Sequence, residues 1–251
     1  NLILLSIFTA PAIYILKNSR KDALISLIIL SIPFLLFSYG IFYKNKYLLN
    51  EIQENPYTIR VIGSNISLER FYNNTNPEDV IMELIKISSP ETKKTFFIWP
   101  EGIIPIVYQD QLDLYREYFL KNFNENHLIG IGMKSRSINK NDYRYFNTFS
   151  IFDNNLNLIT DYKKINLVPF GEFVPLENFL DMIGLKTLTH NIGSFEKGNL
   201  RKIIEIEKGF QKFKFLPLIC YEIIYSGNLT NNYDFDFIIN ISEDGWFGKS
   251  I

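Results

Sequence analysis

A single cysteine, Cys220, stands in a chain of 251 residues, and that scarcity excludes an internal disulfide. Histidine is nearly as scarce. His127 and His190 are isolated, and no Cys/His/carboxylate cluster has metal-ligand spacing, so neither a metal nor a cofactor is expected. The chain also lacks a charge excess: 26 basic residues against 27 acidic ones give a formal net charge of -1, without the basic stripe that nucleic-acid binding requires. No Met stands at position 1, and no charged n-region or cleavage site precedes the first apolar run. That excludes a signal peptide and suggests a chain entered partway. There is no internal repeat, and the heavy use of Asn, Ile and Lys is a bias without a functional reading.

Apolar residues, in contrast, make up 47% of the chain, ample for a sizeable core in one large domain or two. Residues 1–16 carry no charge and end at Lys17, as a remnant of a membrane span would. Residues 23–43 form a second uncharged stretch, with Pro33 inside it, long enough to cross a bilayer. A core helix of a globular domain is the alternative. Lys17, Arg20 and Lys21 crowd the connection between the two stretches while Lys44 and Lys46 follow the second, so the positive-inside rule weakly favours a cytoplasmic connection. The expected organisation is a membrane segment over 1–45, a polar linker over 46–56 and a catalytic domain over 57–251.

The linker closes on Asn55-Pro56, and a strand is expected at Tyr57 to Ile62. Asn76-Pro77-Glu78-Asp79 is a helix start with a cap, a proline in the first turn and two acids facing the dipole; Val80, Ile81, Leu84, Ile85 and Ile87 then form an apolar face. A second helix is expected over Gln111 to Phe123, with Leu112, Tyr115 and Phe119 on one stripe. Strands are expected at about 128–133, 145–152, 213–220 and 235–241. Helices alternating with short buried strands indicate an α/β fold, without fixing the number of sheets.

Three stretches carry candidate chemistry. The run Phe213 to Glu222 reads as a buried strand that delivers Cys220 to a sheet edge, where α/β folds keep their sites. Taken alone, a lone cysteine is more often an inert core residue than a nucleophile. Phe96 to Gly102 is another apolar run, ended by Pro100, which places Glu101 at a strand end. Tyr162 to Pro175 sets Lys163 and Lys164 before an apolar segment and Glu172 in a loop punctuated by proline and glycine. Each charge taken singly reads more readily as a solvated surface residue.

In the order Glu, Lys, Cys these stretches resemble the nitrilase superfamily, and more closely the apolipoprotein N-acyltransferases, membrane enzymes that N-acylate bacterial lipoproteins. The resemblance rests on Trp-Pro-Glu at 99–101, Leu-Val-Pro-Phe-Gly-Glu-Phe-Val-Pro at 167–175, Ile-Cys-Tyr-Glu at 219–222 and Asp-Gly-Trp-Phe-Gly-Lys-Ser at 244–250, and covers residues 56–251. It implies an α-β-β-α sandwich preceded by transmembrane helices, with Glu101 as general base, Lys164 (eight residues before Glu172) as the catalytic lysine and Cys220 as nucleophile. Glu172, Tyr221 and Glu222 match further important positions, and Trp99, Phe173 and Trp246 are the expected substrate contacts. The implied partners are a phospholipid acyl donor, a diacylglyceryl-cysteine lipoprotein acceptor and the membrane itself. The implied place is the bacterial inner membrane, with the catalytic domain facing the periplasm.

The chemistry agrees with that set. A free thiol with a pKa near about 8.5 is mostly protonated at neutral pH, so it needs a base, and a glutamate serves if burial raises its own pKa. Glu101 follows Ile98 and Trp99, which supply such surroundings. Attack on an acyl carbonyl develops an oxyanion, for which Lys164 and the Tyr221 amide are the expected donors. The acyl-cysteine then divides the transfer into two steps. Phe173, Val174, Leu176, Phe179, Leu180, Met182, Ile183 and Leu185 form an apolar segment that either dips into lipid or packs on the core.

This chain departs from the family pattern at Gly63, where glutamine is common, at Phe71-Tyr72, where tryptophan is common, and at Glu243, where asparagine is usual. It is also shorter than the pattern, and a truncation at both ends is expected. The rival readings are a soluble nitrilase-type amidase acting on a small amide or nitrile, and an inactive gene fragment that keeps the triad.

Overall fold

The computed structural model describes residues 2–16, 19–48, 57–71, 75–139, 142–175, 195–208, 211–225, 229–243 and 245. The chain divides into two compact units, Asn1–Glu54 and Asn55–Ile251. In the first, helices α1 (Leu2–Ile15) and α2 (Arg20–Leu48) pack on each other. Ser26 Oγ donates to the Ala10 carbonyl at 2.5 Å, and both small residues are fully buried where the helices approach. Large apolar side chains such as Phe8, Phe34 and Phe37 point outward instead. At about 1.5 Å per residue α2 exceeds the roughly 30 Å hydrocarbon core of a bilayer, whereas α1 falls short of it. Only α2 among the described helices is long and apolar enough to cross a membrane; the stretch expected at 23–43 lies within it, and the one expected at 1–16 does not reach that length.

The second unit is built on two sheets. Strands β1 (Thr58–Val61), β2 (Thr95–Trp99), β3 (His127–Asn139), β4 (Asp142–Asp153) and β5 (Leu158–Lys163) pair in sequence order, the first three parallel and the last three antiparallel. Strands β6 (Ile204–Lys208), β7 (Gln211–Ile219) and β8 (Phe237–Ile241) form a smaller sheet, with β7 antiparallel to β6 and parallel to β8.

Strand alternation separates two cores. Phe97 and Trp99 of β2, with Ile129, Ile131 and Met133 of β3, face helices α3 (Pro77–Ser88) and α4 (Arg116–Asn122). Phe96 and Ile98, with Phe149 and Ile151 of β4, face the opposite way, onto Phe213, Phe215 and Ile239 of the smaller sheet. Helix α3 starts as its sequence predicts: the Asn76 side chain accepts from Glu78 N–H at 3.2 Å, and Pro77 opens the first turn. The helix expected over 111–123 is instead a 3-10 segment, Gln109–Tyr115, running into the seven-residue α4, with Leu112 and Phe119 still on the buried side. At its start the Gln111 side chain takes the Tyr108 N–H, which fixes the tight first turn.

A helix layer, a mixed sheet and a second sheet are three layers of the α-β-β-α sandwich; among the described residues no helix covers the outer face of the smaller sheet. The apolar segment of residues 176–185 lies outside the described residues.

Candidate active site

Glu101, Lys164 and Cys220 arrive from three strand ends at one cavity of about 570 Å³, which Glu172, Tyr221 and Phe195 also line. Each approach follows from strand periodicity. Tyr162 of β5 faces the smaller sheet, so Lys164, two residues on, turns to the same side, and its N–H continues the ladder to the Asn147 carbonyl at 2.9 Å. Lys163 faces the other way, its Nζ 4.5 Å from the centre of the Phe146 ring. Glu101 leaves β2 through Pro100 and is followed by Gly102 in the left-handed region, φ 57°.

Cys220 follows the last residue of β7 and opens a 3-10 turn, Cys220–Tyr225, with a left-handed backbone, φ 54°. That region is costly for a residue with a side chain and is held only where the surroundings impose it. Glu222 imposes it here. Its fully buried carboxylate accepts the backbone N–H groups of Ile219, Ile165 and Asn166 at 2.9 to 3.0 Å, the Tyr162 hydroxyl at 2.9 Å and an Arg201 N–H at 2.8 Å. Glu222 thus fixes the turn at Cys220 to the segment carrying Lys164 and does not itself line the cavity.

Lys164 is almost wholly buried and paired with two acids, Glu101 Oε1 at 3.4 Å and Glu172 Oε2 at 2.9 Å. Asn147 Nδ2 donates to both Glu101 Oε1 and Glu172 Oε1 at 2.7 Å. Glu172 is turned back by a tight loop in which its own N–H reaches the Val168 carbonyl and Val168 N–H reaches its Oε2, each at 2.9 Å.

Burial raises the Glu101 pKa above the ordinary carboxylate range, and Glu172 adds to that, while Lys164 and Asn147 only partly oppose it. Burial also works against the charge on Lys164, but Glu101 and Glu172 outweigh it and hold that pKa above the usual lysine value. The Cys220 thiol is pushed up by burial and then by Glu101, against the lowering effects of Lys164 and the Ser242 hydroxyl. A protonated thiol beside a carboxylate of raised basicity and a fixed ammonium can attack a carbonyl and stabilise the resulting oxyanion.

The expected substrate contacts fare differently. Trp99 is fully buried on the helix side of β2, donates Nε1–H to Ser88 Oγ at 2.9 Å, and lines not this cavity but the neighbouring one that Cys220 also borders. Phe173 is half-buried beneath Lys197 and is not among the described residues that line the cavity. Phe195 lines it instead, fixed by its N–H on the Glu172 carbonyl at 2.8 Å. Trp246 lies outside the described residues. Tyr221, like Cys220, lines both this cavity and the neighbouring one, of about 640 Å³. Asn147, Tyr162 and Arg201 carry no motif that would have announced them. The departure at Glu243 has a structural counterpart, an ion pair with the buried Arg70.

The profile of the carbon-nitrogen hydrolase family matches residues 82–251. The apolipoprotein N-acyltransferase of Rhizobium etli is 24% identical over 253 residues, covering 97% of this chain and 47% of that protein. That of Rickettsia prowazekii is 31% identical over 204 residues, covering 71% of this chain and 40% of that protein. The chain thus spans less than half the length of these relatives. Among solved structures, a mutant of the Nesterenkonia AN1 amidase of the nitrilase superfamily is similar over 73% of this chain and 64% of its own, with a TM-score of 0.46 and 12% identity.

Proposed function

The chain belongs to the carbon-nitrogen hydrolase family, and from that premise we propose that it moves a fatty acyl group from a phospholipid, through a thioester on Cys220, to the N-terminal amine of a diacylglyceryl-cysteine lipoprotein. The observation that carries this reading is the convergence of Cys220, Glu101 and Lys164 on one cavity in a chain that also bears a helix long enough to cross a bilayer. Residues 1–45 serve as the membrane segment, 46–56 as a linker and 57–251 as the catalytic domain, held at the periplasmic face of the inner membrane.

In the first half-reaction Glu101 takes the thiol proton as Cys220 Sγ attacks the ester carbonyl of the donor. Lys164 Nζ and the Tyr221 N–H stabilise the oxyanion. Its collapse breaks the ester C–O bond, and the proton on Glu101 passes to the departing lysophospholipid oxygen. In the second half-reaction the acceptor amine attacks the thioester and loses a proton to Glu101. The C–S bond breaks, an amide remains, and the proton returns to Cys220. Glu172 and Asn147 hold Lys164 and Glu101 in place throughout.

The deciding experiment incubates the protein in its native membranes with phospholipid labelled in the acyl chain. Hydroxylamine-sensitive label should appear on Cys220, be absent from Cys220→Ala, and leave on addition of a diacylglyceryl-cysteine peptide, which becomes N-acylated. Discharge to free fatty acid at the same rate with and without the peptide would make this a hydrolase and end the proposal.

A further inference from the structure

Besides Lys164, the catalytic cavity contains a second lysine. Lys134 of β3 lines it together with Cys220, and β3–β4 register sets Lys134 directly opposite Asn147. Directly opposed residues of an antiparallel pair project to the same face, and Asn147 is the side chain that bridges Glu101 and Glu172. Lys134 therefore stands one cross-strand place from the two acids.

No acid holds it. Lys164 pairs with Glu101 and Glu172, and Glu243, the third carboxylate lining the cavity, pairs with Arg70. Among the described residues the Lys134 ammonium has no ion-pair or hydrogen-bond partner. Burial lowers its pKa, the signature of an ammonium removed from water without compensation. An anion entering this cavity would otherwise meet a surplus of carboxylate over free cation, and Phe71, Met133, Val168 and Phe195 offer it no charge.

We propose that Lys134 receives the phosphodiester of the acyl donor as its ester carbonyl is presented to Cys220. This rests on the acyltransferase reading for the identity of the donor, since a phosphodiester is the one anionic group that a phospholipid of any headgroup must carry. The remaining apolar wall then faces the acyl chain. Lys134 acts as a specificity-determining residue that separates phospholipids from uncharged esters of the same chain length.

The test uses the protein in detergent and reads the rate at which iodoacetamide alkylates Cys220, with dihexanoyl phosphatidylethanolamine or uncharged dihexanoylglycerol as protecting probe. Lys134→Met should weaken protection by the phospholipid about tenfold or more, the worth of a hydrogen bond to a charged group. Protection by dihexanoylglycerol should stay within about twofold, as for a change that touches nothing else. Lys134→Arg should restore the phospholipid effect. Alkylation without lipid at the wild-type rate reports an intact site, and Lys134→Gln replaces Lys134→Met if the latter fails to fold. Equal weakening for both probes, or none for either, would overturn the proposal. Should the charge-selective loss appear while labelled phospholipid leaves no acyl group on Cys220, the anion site stands and the acyltransferase reading falls.

Discussion

The carboxylate of Glu222 accepts the backbone N–H of Ile165 at 2.9 Å, which ties the residue after Lys164 to the turn that begins at Cys220. Glu222 is fully buried and neutralised by Arg201 at 2.8 Å, so an amide in its place leaves Arg201 without its acid and turns an NH2 towards a backbone donor such as Ile219 N–H. Breaking one side of a buried pair costs about 3–5 kcal/mol. Glu222→Gln is therefore expected to unfold or loosen the second unit and to speed limited proteolysis of the native protein. Wild-type protease resistance in that variant would show that the amide can satisfy the same donors.

Lys164 and Lys163 are adjacent in sequence but face opposite sides of β5. Lys164→Ala removes an oxyanion donor and should slow acylation of Cys220 by about two orders of magnitude or more. Lys163→Ala removes a cation stacked on the buried Phe146, a contact of about 0.5–2 kcal/mol outside the catalytic cavity, and acylation should persist. Single-turnover labelling of the two variants decides the matter, and the reverse pattern would exchange the roles of the two lysines.

The pH profile of Cys220 alkylation carries a sign that separates a base from a mere neighbour. Burial and the Glu101 carboxylate both disfavour the thiolate, so wild-type alkylation should rise with pH through a midpoint above the ordinary thiol value. In Glu101→Gln the negative neighbour is gone while Lys164 remains, so the midpoint should fall and alkylation at neutral pH should accelerate. Acyl transfer from phospholipid should nevertheless be lost, because the proton acceptor is gone. A midpoint that moves upward in Glu101→Gln would contradict the electrostatic account of this site.

Topology makes a separate prediction. On the proposed topology, in which α2 crosses the bilayer and the basic connection before it lies inside, a reporter joined after Asn50 should be active only outside the cytoplasm. Alkaline carbonate should also fail to extract the protein from membranes. Release by carbonate would return the soluble amidase to consideration.

Much of the site's placement could be read from the sequence because each approaching strand ends abruptly: apolar runs give way to Pro100-Glu101 and to Cys220-Tyr221-Glu222. Asn147 could not be read, because it sits in mid-strand among ordinary alternating residues and gains its role only from the register of β4 against β5. Strand β6 is not among the strands expected from the sequence although Ile204-Glu205-Ile206-Glu207 alternates cleanly, and neither is β5, whose exposed face leaves little alternation to see. Trp99 lines the neighbouring cavity beside Cys220, whereas Glu101, two residues on, enters the other. The period of two turns Trp99 into the helix-side core, and the chain must leave the strand before Glu101 can turn back.

Two glycines of β3 make the final prediction. A Cβ at Gly132 would lie 2.5 Å from both the Glu101 Cα and the Pro100 carbonyl oxygen, which are backbone atoms with nowhere cheap to go. A Cβ at Gly130 would meet ring atoms of Phe149 at 2.7 Å and of Phe96 at 3.1 Å, in the core between the sheets. Both substitutions overpack and should cost about 1–3 kcal/mol of stability. They differ in what must move. Gly132→Ala pushes the end of β2 that carries Glu101, and a displacement of about 1 Å in a catalytic group can cost on the order of 100-fold in rate. Gly130→Ala pushes the Phe149 and Phe96 rings, which are not among the described residues lining the catalytic cavity. Acylation of Cys220 should therefore fall far more in Gly132→Ala than in Gly130→Ala at comparable thermal stability. Equal rates in the two variants would mean that the β2 end can shift without carrying Glu101 out of reach of the thiol.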